Sequence, residues 1–146
     1  MPDAYLVDSG VFIRWFVPQD GYQHALEVQA ALLGDALRLE TVDLARFEVA
    51  DVLRRKGLLA GILDRSRYTT AVRVVDDLGV TIHSTDVDAV VRAADLAARR
   101  AIRFYDAVFV DRALEQQLPL LTADAKLCRA VDGLLSTELL RGVAGT

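Results

Sequence analysis

Residues 4–10 read Ala4-Tyr5-Leu6-Val7-Asp8-Ser9-Gly10: four apolar residues that run directly into an acid, a hydroxyl and a glycine. A short unbroken apolar run closed by turn-forming residues is the pattern of a strand covered on both faces. Covering both faces requires helices on either side, which makes Ala4–Val7 the first strand of an α/β chain.

Outward from that strand, turn and capping residues divide the rest. Val11 to Phe16 predicts a short helix stopped by Pro18, and Tyr22 to Leu33 a longer one before Gly34. Leu37 to Val42 reads as a strand, with Thr41 and Asp43 placed to cap a helix from Leu44 to Leu59. Asp64 to Leu78 predicts a helix ending at Gly79, and Val80 to His83 a strand. Helices over Asp86–Arg100 and Tyr105–Gln117 follow, then a buried strand Pro119–Thr122 and a short helix Ala125–Val131. Leu134 to Leu140 is expected to form an edge strand. Strands alternating with helices imply a three-layer α/β/α sandwich around a mostly parallel sheet. No repeat or linker-like tract divides residues 1–146, which read as a single domain.

Of the 146 residues 53% are hydrophobic, and the mean hydropathy is +0.26. No apolar run approaches the roughly 20 residues that span a bilayer. Residues 1–10 also lack the basic-then-apolar plan of a secretory signal. The lone Cys128 excludes an internal disulfide or a cysteine zinc cluster and reads as a buried, inert thiol. These features point to a cytoplasmic protein without a membrane partner. The apolar surplus fits helix-covered strands or a protein interface, with Trp15, Phe16, Val28 and Leu32 as candidates for either interface or core.

The net charge of −4 has the wrong sign for a simple nucleic-acid binder. An acidic site that holds a divalent cation reverses its own local charge. Arginines also cluster, at Arg54 and Arg55 beside Lys56 and again at Arg99, Arg100 and Arg103. Their planar forks suit phosphate.

Four carboxylates stand out by position. Residues 106, 109, 110, 113 and 114 share one helical face and read Asp, Phe, Val, Ala, Leu. Asp106 therefore points toward a core edge, where an unpaired charge is costly. It is either an N-cap or a group with a cation to meet. Glu48 lies on a stripe with Leu44 and Val52, beyond the first helical turn, so its alternatives are an arginine partner such as Arg55 or a functional role. Asp8 and Asp124 follow the strands Ala4–Val7 and Pro119–Thr122. In a parallel sheet the carboxyl ends of strands are where sites gather, although an Asx turn or an N-cap would account for either residue. A hard divalent cation takes oxygen ligands from several elements, and Ser9 and Thr122 have hydroxyls suited to orienting such carboxylates.

With these residues assembled, the chain resembles the PIN domain, and specifically the VapC-type toxins of toxin–antitoxin pairs. The resemblance is carried by Tyr5-Leu6-Val7-Asp8-Ser9-Gly10-Val11, by Phe47-Glu48-Val49-Ala50 followed by Leu53-Arg54-Arg55-Lys56, by Tyr105-Asp106-Ala107 with Phe109, and by Leu120-Leu121-Thr122-Ala123-Asp124. It implies a metal-dependent endoribonuclease using Mg²⁺ or Mn²⁺, with Asp8, Glu48, Asp106 and Asp124 as its acidic site. Asp8 and Asp106 would be direct ligands, with Glu48 and Asp124 bound directly or through water. It also implies a homodimer, an RNA substrate and a cognate antitoxin. Asp111 departs from the family pattern; at five residues from Asp106 it is expected on an exposed face. Asp51 is the candidate auxiliary acid. The alternatives are a catalytically silent RNA-binding or scaffold relative, and a receiver-like phosphotransfer domain. The receiver fits poorly because Asp8 has no acidic neighbour and the chain has only Lys56 and Lys126 as lysines.

Overall fold

The computed structural model describes residues 2–145. Its centre is β1 (Ala4–Val7), all four residues of which are buried. β1 pairs in parallel with β2 (Arg38–Val42) on one side and β4 (Leu120–Thr122) on the other. β3 (Thr81–His83) extends the sheet beyond β2, and β5 (Thr137–Leu139) extends it beyond β4. The described sheet is thus wholly parallel, in the order β3-β2-β1-β4-β5.

Parallel neighbours need crossover connections, and here helices supply them. They are α1 (Ser9–Ile13), α2 (Tyr22–Leu33), α3 (Leu44–Leu53), α4 (Arg65–Ala71), α5 (Val74–Asp77), α6 (Val87–Arg100), α7 (Phe104–Gln116) and α8 (Ala125–Ala130). α7 lies across β1, β2 and β4 and packs its other side on α6, while α1 packs against β4, α2 and α3. The architecture is a three-layer α/β/α sandwich. Leu6, Val7, Leu39, Leu120, Phe12 and Phe109 are essentially inaccessible at its centre. Each such side chain contributes roughly 1.5–3 kcal/mol by leaving water.

The chain winds from β1 through β2 to β3, then returns past β1 to add β4 and β5. The direction reverses between β1 and β4, which opens a crevice beyond their carboxyl ends. Asp8 and Asp124 flank it.

Several expected boundaries shift. α1 occupies Ser9–Ile13 rather than Val11–Phe16, because the helix begins directly after Asp8 and residues 14–16 only turn. The expected Leu44–Leu59 helix widens into a π-helical turn at Arg54–Leu58. There Gly57 admits Leu63, whose Cδ1 stands 2.8 Å from where a Cβ would be. The expected Asp64–Leu78 helix breaks between α4 and α5. The β-branched run around Val72–Val75 holds a helix weakly and leaves its ends to tertiary packing.

Three of the four proposed interface residues are core: Trp15, Val28 and Leu32 are buried. Trp15 stacks edge-on against Phe12 and donates its indole N–H to the Ala25 carbonyl at 2.7 Å. Cys128 is half-buried rather than fully buried. Asp111 is buried, not exposed. Its carboxylate accepts from Arg92 Nε at 3.0 Å and Nη2 at 3.2 Å. α7 has the sheet on one side and α6 on another, so the face turned from the sheet is also covered.

Candidate functional site

Asp8 holds the N-cap position of α1 but makes no capping hydrogen bond. Its side chain turns instead toward β4, where the wholly buried Thr122 donates its hydroxyl to Asp8 Oδ2. Asp8 Oδ1 is buried with no hydrogen-bond partner, an arrangement that ordinarily costs about 1–3 kcal/mol. A Cβ at Gly10 would lie 3.4 Å from that oxygen and 3.2 Å from Arg14 Nη1. The glycine thus keeps that side of the carboxylate clear. Burial pushes the Asp8 carboxyl from 3.8 up to about 6; the Thr122 bond and Arg14 oppose the rise, and Asp106 and Glu48 add to it.

Ser9 and Glu48 join α1 to α3: the buried Ser9 hydroxyl donates to Glu48 Oε1. Burial raises the Glu48 pKa against the pull of that bond, and Asp106 raises it further. Arg55 does not pair with Glu48 but with Asp51, at 3.3 Å. Asp51 is exposed and joins Glu48 in lining the same cleft.

Asp106 lies in the first turn of α7, whose N-cap is Arg103. It does not cap the helix. Its oxygens face the Arg103 guanidinium, Nε at 3.3 Å from Oδ2 and Nη2 at 3.5 Å from Oδ1. Burial still raises its pKa, against Arg103 and with help from Asp124. Asp124 does cap a helix: Oδ1 accepts from Leu127 N at 3.0 Å. Its own N–H donates to Thr122 Oγ1 at 3.1 Å, so one hydroxyl links Asp124 to Asp8.

The fold therefore brings all four carboxylates into one electrostatic neighbourhood, with Ser9 and Thr122 bonded to two of them. Among the described residues, no three His, Cys, Asp or Glu side chains stand close enough, as arranged, to share an ion. The donor chemistry nevertheless suits a hard cation. Anionic oxygens arrive from four elements, three of the carboxyls are held toward their neutral forms by burial, and one buried oxygen lacks any donor. Asp8 and Asp106 would be the groups to hold such an ion; as arranged, Asp106 faces Arg103. Arg14 and Arg103 also stand beside these carboxylates, and of the two the sequence marks only Arg103, as one of the clustered arginines whose forks suit phosphate. The spacing Arg103-x-x-Asp106 is an i,i+3 pair and was the available signal for its pairing.

The PIN domain family model matches residues 5–133. The chain belongs to the PIN domain family. A search of curated protein sequences returns no significant match. Among solved structures, this PIN domain is similar to VapC20 of Mycobacterium tuberculosis, a toxin that cleaves the sarcin–ricin loop (TM-score 0.70, 14% identity, 86% of this chain and 94% of that one covered). It is also similar to PAE2754 of Pyrobaculum aerophilum (0.68, 19%, 92% and 82%). A third is VapBC-5 of M. tuberculosis, from the VapBC family of toxin–antitoxin systems (0.61, 24%, 96% and 99%). At these identities the likeness shows the shared fold, and family membership takes the place of the receiver-like alternative.

Proposed function

We propose that this PIN domain is a toxin-type endoribonuclease that hydrolyses RNA phosphodiester bonds with a Mg²⁺ or Mn²⁺ ion held by Asp8 and Asp106. Glu48 and Asp124 complete the site, chiefly through water. The observation that carries the reading is the buried, unpartnered Oδ1 of Asp8 at the sheet's reversal point, beside two further carboxyls with raised pKa values.

Asp8 and Asp106 would hold the divalent ion, which when bound would supply polarisation of the scissile phosphate and a lowered pKa for an attacking water. The chain's own residues orient the site. Thr122 fixes Asp8 through one oxygen and leaves the other free, and Ser9 fixes Glu48. Water attacking phosphorus in line with the 3′-oxygen would break the P–O3′ bond, leaving a 5′-phosphate and, once the departing oxygen takes up a proton from solvent, a 3′-hydroxyl.

The toxin–antitoxin neighbour supports the partner reading, in which a cognate antitoxin restrains the enzyme; the homodimer reading rests instead on the exposed apolar residues Phe47, Phe104 and Tyr105. No described helix is long and apolar enough to cross a membrane.

The test is cleavage of tRNA and rRNA pools with and without Mg²⁺ or Mn²⁺, by the wild type and by Asp8→Asn. Metal-dependent cutting that Asp8→Asn abolishes is expected. Equal cutting by both proteins overturns the site. RNA binding without any cutting favours the silent relative.

A further inference from the structure

We propose that Arg103 is an exchangeable cation of this site, pairing with Asp106 until a divalent ion displaces it and then gripping the RNA backbone beside the scissile phosphate. The inference rests on the ribonuclease reading above.

The geometry points to a loose partner, not a structural clamp. Arg103 meets Asp106 at 3.3 and 3.5 Å with a side chain 78% exposed. Its guanidinium has no other hydrogen-bond partner among the described residues. Only the guanidinium end of the pair is open to water, Asp106 being 23% exposed, and solvent screening at that end holds its effect on an equilibrium to about fivefold. A hard divalent ion prefers carboxylate oxygen strongly enough to win that competition. Yet Arg103 sits in the field of Asp106, Glu48 and Asp124 together, which is where the chain most needs positive charge when no ion is bound.

Its location gives the freed guanidinium something to do. Arg103 is the shared wall of two clefts, of about 890 Å³ and about 240 Å³. The larger contains Glu48 and Arg55; the smaller contains Asp106, Asp124 and Lys126. A strand crossing from one cleft to the other passes over Arg103, with a second cation waiting in each. The fork matches phosphate oxygens as well as it matches a carboxylate.

The full chain is titrated with Mn²⁺ by calorimetry as wild type, Arg103→Gln, Arg103→Lys, Asp106→Asn and the double variant Arg103→Gln/Asp106→Asn. Arg103→Gln is expected to bind Mn²⁺ about three- to fivefold more tightly, and Arg103→Lys to remain near the wild type. The gain should vanish in the Asp106→Asn background. At saturating Mn²⁺, Arg103→Gln should raise KM for RNA several-fold and change kcat less. Unchanged or weaker Mn²⁺ binding by Arg103→Gln overturns the proposal, as does an undiminished gain without Asp106 or an unchanged KM. If Asp8→Asn abolishes Mn²⁺ binding and cleavage while Arg103→Gln matches the wild type, only this inference falls. If the wild type binds no Mn²⁺, the ribonuclease site falls with it.

Discussion

Asp8 carries opposite consequences for stability and for chemistry. Because burial lifts its pKa from 3.8 to about 6, the folded chain holds this proton more tightly than the unfolded chain does. Its contribution to metal-free stability is therefore full below pH 3.8 and is lost as the pH rises through about 6. The upper bound on that loss is about 3 kcal/mol. Glu48 and Asp106 push in the same direction, whereas the lowered pKa of His24 opposes them as the pH falls below 6.5. Substituting Asp8 isolates its share. In chelator near neutral pH, Asp8→Asn should be more stable than the wild type by up to about 3 kcal/mol, and near pH 4 the two should coincide. Denaturant unfolding at both pH values checks this, and an equal difference at both would refute it. Thr122 bears on the same proton from the other side. Its hydroxyl favours the charged form of Asp8, and Thr122→Val deletes a charge-assisted bond worth about 1.5–3 kcal/mol. The pKa should then climb above about 6, and the acidic limb of the cleavage profile should move up by one unit or more. A limb that stays in place would mean that Asp8 is not the titrating group.

At the scale of elements, legibility tracked how local the deciding interaction was. β1 and α2 match their sequence expectations end to end, because an apolar run defines the first and Gly34 stops the second. The capping aspartates Asp64, Asp86 and Asp124 each accept a backbone N–H, as their types suggest. Asp111 was misread because helical periodicity reports one buried face, and α7 has two. The second exists only once α6 lies alongside, and Arg92 from α6 supplies the charge that Asp111 needs. Losing one partner of a buried pair leaves the other uncompensated. Asp111→Ala should therefore lower the melting temperature clearly more than Asp95→Ala, whose partner Arg99 meets it in the open. Differential scanning calorimetry compares them, and equal effects would make the α6–α7 link an ordinary surface pair. The site divides in the same way. Asp8 and Asp124 were legible from topology, whereas the contacts Ser9–Glu48 and Thr122–Asp8 span 39 and 114 residues and no local pattern encodes them.

At the scale of the molecule, the apolar surplus has two destinations. Most of it fills a sheet covered on both faces, which absorbed Trp15, Val28 and Leu32. What remains outside is concentrated where α3, α6 and α7 meet. Phe47 is 74% exposed, and with Tyr105, Phe104 and Val90 it lines a shallow cleft of about 260 Å³. Val87 and Val91 on α6 are exposed as well. A surface this apolar, on a chain whose core is already filled, suits a second copy better than it suits water. A charge at its centre costs the monomer little, since Phe47 packs little of itself against its own fold, but it meets its like across a two-fold interface. Phe47→Glu should therefore shift sedimentation from dimer to monomer while the circular dichroism spectrum stays unchanged. A wild type that sediments as a monomer at micromolar concentration would instead leave this face to another partner, and the homodimer reading would fall.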